Sequence, residues 1–99
     1  MSFEELKTKV CGFIFLKVDL GKEKEIIGRL FQFPEVKEVH EITGLNDLLV
    51  VVEFEHDVLA ILNPSQRIAD FVTEKIRKVH YIKDTETIIP TRTIRRSLG

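Results

Sequence analysis

Residues 33–54, FPEVKEVHEITGLNDLLVVVEF, predict two antiparallel strands joined by a turn. The first part, 36–43, is rich in polar residues, which is typical of a strand at the edge of a sheet. The second part, 47–54, is almost continuously apolar and β-branched, which favours a central strand. Between them, TGLND contains the glycine, asparagine and aspartate that favour hairpin turns. The stretch therefore predicts a hairpin between an edge strand and a central strand.

The same two kinds of strand recur on either side of this hairpin. VCGFIFLKV at 10–18 predicts a second apolar strand, and HYIKDTETII at 80–89 predicts a second polar-rich strand. A helix with apolar residues at helical spacing is predicted in KEKEIIGRLFQF, and Pro34 ends it. Together these segments place one helix between the first two strands.

A second helix is predicted to start at Asn63. Asn63 is suited to the N-cap, Pro64 to the first helical position, and Gln66 completes an N-x-x-Q capping box. The apolar stripe of this helix consists of Ile68, Phe71, Val72, Ile76 and Val79. The order is therefore β-α-β-β-α-β, an α+β ferredoxin-like fold with a four-stranded antiparallel sheet and two helices on one face. One domain, 1–99, is predicted, with a core at about 10–89 and tails at 1–9 and 90–99.

The face of the sheet without helices is also predicted to be apolar. Two helices cover one face only, yet the central strands do not alternate between apolar and polar residues. Phe13, Phe15, Leu49 and Val51 are expected on the uncovered face, where exposure would leave an unusually large apolar patch. We expect a second copy to cover it, sheet against sheet, in a two-fold dimer. The alternative is that the two chain ends fold over the sheet.

Composition disfavours most catalytic, membrane and nucleic-acid functions. The 99 residues carry a net charge of −1, so no global positive field attracts nucleic acid. No apolar run approaches the roughly 20 residues of a membrane span, and the start does not resemble a secretory signal, so a cytoplasmic location is expected. The three histidines are scattered without metal-ligand spacing, and the single cysteine, Cys11, has no evident base. Neither a catalytic residue, nor a metal, nor a cofactor is predicted.

Two segments carry a resemblance to a known family. The stretch P-x-V-x-x-V-x-x-V-T-G-x-[aromatic]-D-L-L-V is approximately matched by Pro34, Val36, Val39, Ile42, Thr43, Gly44, Asp47, Leu48, Leu49 and Val50. FVTEKI at 71–76 and KDTET at 83–87 match as well. In these motifs the chain resembles the effector-sensing domain of the Lrp/AsnC transcription regulators. It departs from them at Asn46, where the family has an aromatic residue, and at DVLAILNP, 57–64, which looks longer than the usual link.

The resemblance implies a non-enzymatic domain that binds a small molecule, commonly an amino acid, near the G-x-x-D turn. It also implies that dimers associate into rings, often octamers. Full-length members carry an N-terminal helix-turn-helix for which this chain has no room, so a stand-alone domain that acts through a full-length paralogue is expected, without direct DNA or membrane binding. The alternatives are an assembly module without ligand and, from another class, a small ferredoxin-like dimeric-barrel enzyme.

The candidate effector site follows from the same segments. Its predicted residues are Thr43, Gly44, Asn46, Asp47, Thr85 and Thr87. Asp47 is suited to accept from an ammonium group, and backbone N–H groups around Gly44 are suited to donate to a carboxylate. Thr85 and Thr87 are expected on the edge strand with outward hydroxyls. The structural alternative is an ordinary hairpin turn and a solvated edge strand.

Overall fold

The computed structural model describes residues 3–5, 9–43 and 47–96. The strands are β1 (Phe3–Glu5), β2 (Lys9–Val18), β3 (Val36–Ile42), β4 (Asp47–Glu55), β5 (Ile82–Ile88) and β6 (Ile94–Arg96). The helices are α1 (Glu23–Leu30), α2 (Val58–Leu62) and α3 (Pro64–Glu74), and a 3-10 helix follows at Ile76–Lys78. The ferredoxin-like order is confirmed in β2-α1-β3-β4-α3-β5.

The four-stranded sheet has the order β3-β4-β2-β5, with every neighbouring pair antiparallel. The two apolar strands therefore lie in the centre and the two polar-rich strands at the edges, as predicted. Ile14 lies opposite Val50, and Phe13 lies opposite Val51. Because successive side chains point to opposite faces, even-numbered residues of β2 and β4 share one face and odd-numbered residues share the other.

The core lies between the even-numbered face and the helices. Its members come from β2, β3, β4 and every helix: Ile14, Leu16, Val18, Ile26, Leu30, Val36, Leu48, Val50, Val52, Phe54, Ala60, Ile68, Phe71, Val72 and Ile76. Phe71 packs edge-on against Phe33 and Phe54, with ring centroids 5.9 and 5.5 Å apart. Burial of such side chains, at roughly 1.5–3 kcal/mol each, is the main force that holds the helices on the sheet.

The start of α3 confirms the predicted N-cap. The Asn63 side chain accepts a hydrogen bond from the backbone N–H of Gln66 at 3.2 Å, and Pro64 occupies the first position. The reciprocal half of the capping box is replaced: the Gln66 amide donates to Asp70 at 2.8 Å. The reason is that the backbone N–H of Asn63 already donates to the Leu59 carbonyl, at the end of α2.

The long link at 57–64 forms the additional helix α2. Asp57 caps it by accepting from the backbone N–H of Ala60 at 2.9 Å, and Arg67 donates to the other carboxylate oxygen at 3.1 Å. The pKa of Asp57 is held below its ordinary value of 3.8, first by the Ala60 hydrogen bond and also by Arg67. Only Ala60 is buried in α2, and the exposed apolar side chains are Val58, Leu59, Ile61 and Leu62.

The structure also differs from the sequence predictions near both ends of the core. The presumed tails contain β1 and β6, which pair with each other in a separate antiparallel ribbon. The second helix ends at Glu74, although Ile76 in the following 3-10 helix remains buried. β5 starts two residues later than predicted because Tyr81 has a positive φ of 73°, which is incompatible with a strand. Among the described helices, none is both long and apolar enough to cross a membrane.

Candidate functional site

An apolar strip runs across the face of the sheet that carries no helix. Phe13 and Phe15 of β2 lie directly opposite Val51 and Leu49 of β4, and all four side chains are only partly buried. Ile88, the neighbour of Phe13 on β5, is 48% exposed. The structure thus brings the four predicted dimer-face residues together on one face, which we call the open face.

The predicted turn lies at one end of this face. Thr43 follows β3 and is exposed, while Asp47 begins β4 opposite Ile42. The other two predicted turn residues, Gly44 and Asn46, lie outside the described residues. The structure therefore locates both ends of the turn, between edge strand β3 and central strand β4 as predicted.

The two threonines lie on the edge strand β5 but face the helices. Thr85 is opposite Leu16, and Thr87 is opposite Ile14. Because Leu16 and Ile14 are buried under the helices, the side chains of both threonines lie on the helix side of the sheet. This alignment follows from the register of β2 with β5, which runs unchanged from Phe13 to Lys17 and carries no clear sequence signal. Thr87 is nevertheless exposed and Thr85 half-buried, and their contact with an effector bound to an adjoining subunit remains a prediction.

Charged residues that the sequence analysis did not select lie beside the turn. Lys17 of β2 is opposite Asp47 of β4 on one side and opposite Asp84 of β5 on the other. The three residues form a row across the end of the open face, and the Lys17 side chain is exposed. Asp84 accepts a hydrogen bond from the backbone N–H of Thr85 at 2.8 Å, which orients its carboxylate.

A cavity of about 150 Å³ lies against this row. Its lining residues are Phe15, Leu16, Lys17, Asp84, Thr85 and Glu86. Phe15, Lys17 and Glu86 project from the open face by strand alternation, whereas the side chain of Leu16 is buried on the other side. The cavity therefore offers one ammonium, two carboxylates and one aromatic side chain, which together suit a small zwitterion with an apolar group.

The signals for these residues in the sequence were weak. Lys17 is the one charged residue within the apolar strand 10–18, and Asp84 belongs to the KDTET segment. A charge near the end of a strand is common in any soluble domain, so neither residue marks a site by itself. Their proximity depends on the pairing of β2 with β5, which is a property of the fold.

His40 and His56 make only local contacts with neighbouring carboxylates. His40 contacts Glu38 at 2.8 Å, and His56 lies 3.7 Å from Glu55; both contacts are on the surface. Over residues 9–43 and 47–96, no three His, Cys, Asp or Glu side chains come close enough together to hold a metal ion. The charged row beside the turn is therefore the site that the geometry singles out for a small ligand.

Comparison with known proteins agrees with this fold. The family model of the Lrp/AsnC ligand binding domain matches residues 11–98. This chain belongs to that family.

Its relatives are named as transcriptional regulators. The HTH-type transcriptional regulator FL11 of Pyrococcus furiosus is 28% identical over 86 residues, which are 87% of this chain and 51% of that protein. The chain spans about half the length of the curated relatives it matches. The domain therefore belongs to a family whose named members are transcriptional regulators and not enzymes.

Solved structures include a hypothetical protein from Pyrococcus horikoshii with 40% identity and a TM-score of 0.64, covering 82% of this chain and 88% of that one. A transcriptional regulator of Neisseria meningitidis, solved in complex with L-Met, has a TM-score of 0.63 at 19% identity, covering 82% and 49%. The second likeness shows the fold alone.

Proposed function

We propose that this domain is a non-enzymatic sensor that binds a free amino acid at the turn end of the open face. The observation that carries the proposal is the row in which Lys17 lies between Asp47 and Asp84, next to a cavity lined by Phe15. The match to a ligand binding domain family supports a sensing role. The L-Met complex of the Neisseria regulator supports an amino acid as the class of ligand.

The chemistry of the row fits the two charges of an amino acid. The ligand carboxylate pairs with the Lys17 ammonium and with backbone N–H groups of the turn near Gly44 and Asn46. The ligand ammonium pairs with the carboxylate of Asp84 or Glu86, and the ligand side chain packs on Phe15; the side chain of Asp47, the residue expected to accept from the ammonium, lies outside the described residues. Thr43 borders this space, whereas Thr85 contributes through its backbone and Thr87 lies further along β5.

A second copy of the chain completes this proposal. The cavity is open to solvent and adjoins the apolar strip of Phe13, Phe15, Leu49 and Val51. Pairing of two open faces removes the strip from water, at roughly 25 cal/mol for each Å² of apolar surface. Further association of dimers into a ring, such as an octamer, places additional copies near the turn. Assembly and ligand binding are thermodynamically linked. If assembly raises the affinity for the ligand, the bound ligand must stabilise the assembly by the same free energy.

The output of the sensor is proposed to be transcriptional. The curated relatives are HTH-type regulators, and this chain matches about half of their length. A domain of this kind communicates with DNA through a paralogous regulator that carries a helix-turn-helix, by sharing the sheet or ring contacts. The amino acid then changes the composition or stability of the mixed assembly.

Thermal unfolding in the presence of each of the twenty amino acids tests the sensing proposal. An amino acid at 100 times its Kd adds about 2.7 kcal/mol, which raises the Tm of a domain of this size by roughly 10–20 °C. Lys17→Met removes the partner of the ligand carboxylate and is expected to abolish the shift, whereas Lys24→Met, an equally exposed lysine on α1, retains it.

The results of this experiment distinguish an amino acid sensor from a structural assembly module without ligand. A Tm shift that is lost in Lys17→Met and kept in Lys24→Met supports the proposed site. If no amino acid at millimolar concentration shifts the Tm, amino acid sensing is wrong. The apolar strip then favours the second candidate, a structural assembly module without ligand.

A further inference from the structure

A second cleft, of about 250 Å³, lies where the C-terminal ends of α1 and α3 meet. Its lining residues are Arg29, Gln32, Phe33, Glu74, Lys75, Lys78, Val79 and His80. It shares none of them with the cavity at Lys17. The proposed amino acid site therefore does not account for this cleft.

The cleft concentrates positive charge in a chain whose net charge is −1. Arg29, Lys75 and Lys78 are exposed cations on its walls, against the single carboxylate of Glu74. Within the described part of the chain, the ion pairs lie elsewhere, and none of these three cations has a carboxylate at salt-bridge distance. Three unpaired cations around one concave surface create a local field that attracts a multivalent anion.

Helix ends offer a simpler explanation for such cations, since Lys and Arg stabilise C-terminal carbonyl groups. Here backbone N–H groups already satisfy several of those carbonyls. The N–H groups of Gln32 and Phe33 donate to the carbonyls of Arg29 and Leu30 at the end of α1. At the other helix, the Lys75 N–H donates to the Phe71 carbonyl. These three carbonyls therefore do not need the side chains of Arg29, Lys75 or Lys78 as hydrogen-bond donors, and no hydrogen bond from these side chains to a helix-end carbonyl is seen among the described residues.

The cleft also has an apolar wall. Phe33 and Val79 are half-buried, and the Phe33 ring is held edge-on by Phe71 at 5.9 Å. A guanidinium recognises phosphoryl oxygens in a bidentate manner, and lysines add point charges. We propose that this cleft binds a small phosphate ester, with the phosphoryl group between Arg29, Lys75 and Lys78 and the organic part against Phe33. The domain would then respond to a second, anionic class of ligand at a separate site.

Titration of ¹⁵N-labelled protein with phenyl phosphate and with inorganic phosphate, at constant ionic strength, tests the proposal by NMR. Both anions are expected to shift the backbone amides of residues 29–33 and 75–80 in a saturable way, without shifting residues 15–17 and 84–86. Phenyl phosphate is expected to bind more tightly than inorganic phosphate because its ring contacts Phe33. Equal or weaker binding of phenyl phosphate would contradict an ester as the ligand.

Two double variants distinguish phosphate binding in the cleft from a general effect of the protein's charge. The double variant Lys75→Gln/Lys78→Gln is expected to weaken phenyl phosphate binding about tenfold or more, since two charge-assisted contacts are lost. Lys24→Gln/Lys37→Gln removes the same charge at two exposed positions that do not line the cleft, and is the matched control. Equal weakening by both variants, no saturable shifts at millimolar phosphate, or stronger shifts of the same amides with short duplex DNA would each overturn the proposal.

Discussion

Gly12 of β2 lies directly beneath Ile68 of α3. A Cβ atom at this position would lie 3.0 Å from Cδ1 of Ile68 and 3.3 Å from Cγ2 of Val52, and both of these side chains are fully buried. Interiors are close-packed, so added volume must displace the helix or force strained rotamers. The absence of a side chain at Gly12 therefore sets how closely α3 can approach β2.

Substitution of Gly12 by valine is expected to lower the free energy of unfolding by about 1–3 kcal/mol through this overpacking. Gly28→Ala is the control, because Gly28 lies exposed within α1 with no atom within 4 Å of the added Cβ. It is expected to raise the free energy of unfolding by roughly 0.5–1 kcal/mol, through the lower conformational entropy of the unfolded chain. Urea denaturation measures both; a neutral Gly12→Val would show that α3 can move without cost.

At the residue scale, contacts between residues close in sequence could be predicted, whereas contacts that depend on how two distant strands pair could not. The cap at Asn63 depends on side chains three residues apart, and the structure confirms it. The alignment of Lys17 with Asp84 depends on the register of two strands that are distant in sequence, so no local pattern indicated it. For the same reason the helix-facing side chains of Thr85 and Thr87 were not foreseen.

At the scale of elements, α2 is a helix that hydrophobic periodicity could not predict. VLAIL is apolar at every position, so it carries no signal that distinguishes one helix face from another. The structure buries only Ala60 and leaves the side chains of Val58, Leu59, Ile61 and Leu62 from 46 to 76% exposed. β1 and β6, of three residues each, are likewise too short for a detectable alternation. These short elements were therefore not predicted from the sequence and are seen only in the structure.

The attachment of α2 is expected to depend on pH through Asp57. The folded state lowers the pKa of this carboxyl group, chiefly through the Ala60 N–H, so the ionised form contributes stability above the unfolded pKa. That contribution is lost as the pH falls through the lowered pKa of the folded state. Asp57→Asn keeps an N-cap acceptor but removes the charge beside Arg67.

The wild type is therefore expected to be more stable than Asp57→Asn at neutral pH, and the difference is expected to shrink as the pH falls below 3.8. Urea denaturation of both proteins over a series of pH values measures this difference. A difference that stays constant down to the lowest pH would contradict the role assigned to the Asp57 charge.

At the scale of the whole molecule, the fold was the most predictable property. Two apolar and two polar-rich strands, interleaved with two helical segments, have few arrangements in which the apolar strands are central and one sheet face is covered. The same reasoning indicated that the other face is apolar, and Phe13, Phe15, Leu49 and Val51 do lie together there. The partner that covers this face remains a prediction, because a single chain cannot test it.

The dimer proposal is tested by introducing a charge into the strip. Val51→Glu places a carboxylate between two copies of the open face and is expected to reduce the mass in solution to that of a monomer, since an unpaired buried charge costs several kcal/mol. Val58→Glu makes the same change on the exposed surface of α2, where the valine is 66% exposed, and is expected to keep the wild-type mass. Sedimentation velocity measures the mass, and circular dichroism checks the fold of each variant. A monomeric wild type, or an unchanged mass for Val51→Glu, would contradict pairing through this face.

The central claim, that an amino acid binds at the charged row beside the turn, is tested most directly by ¹H–¹⁵N NMR titration of the labelled domain with each of the twenty amino acids. At least one is expected to shift the amides of residues 15–17 and 84–86 in a saturable way, and Lys17→Met is expected to abolish these shifts. If no amino acid moves these amides, or if the shifts are unchanged in Lys17→Met, the proposed site is wrong.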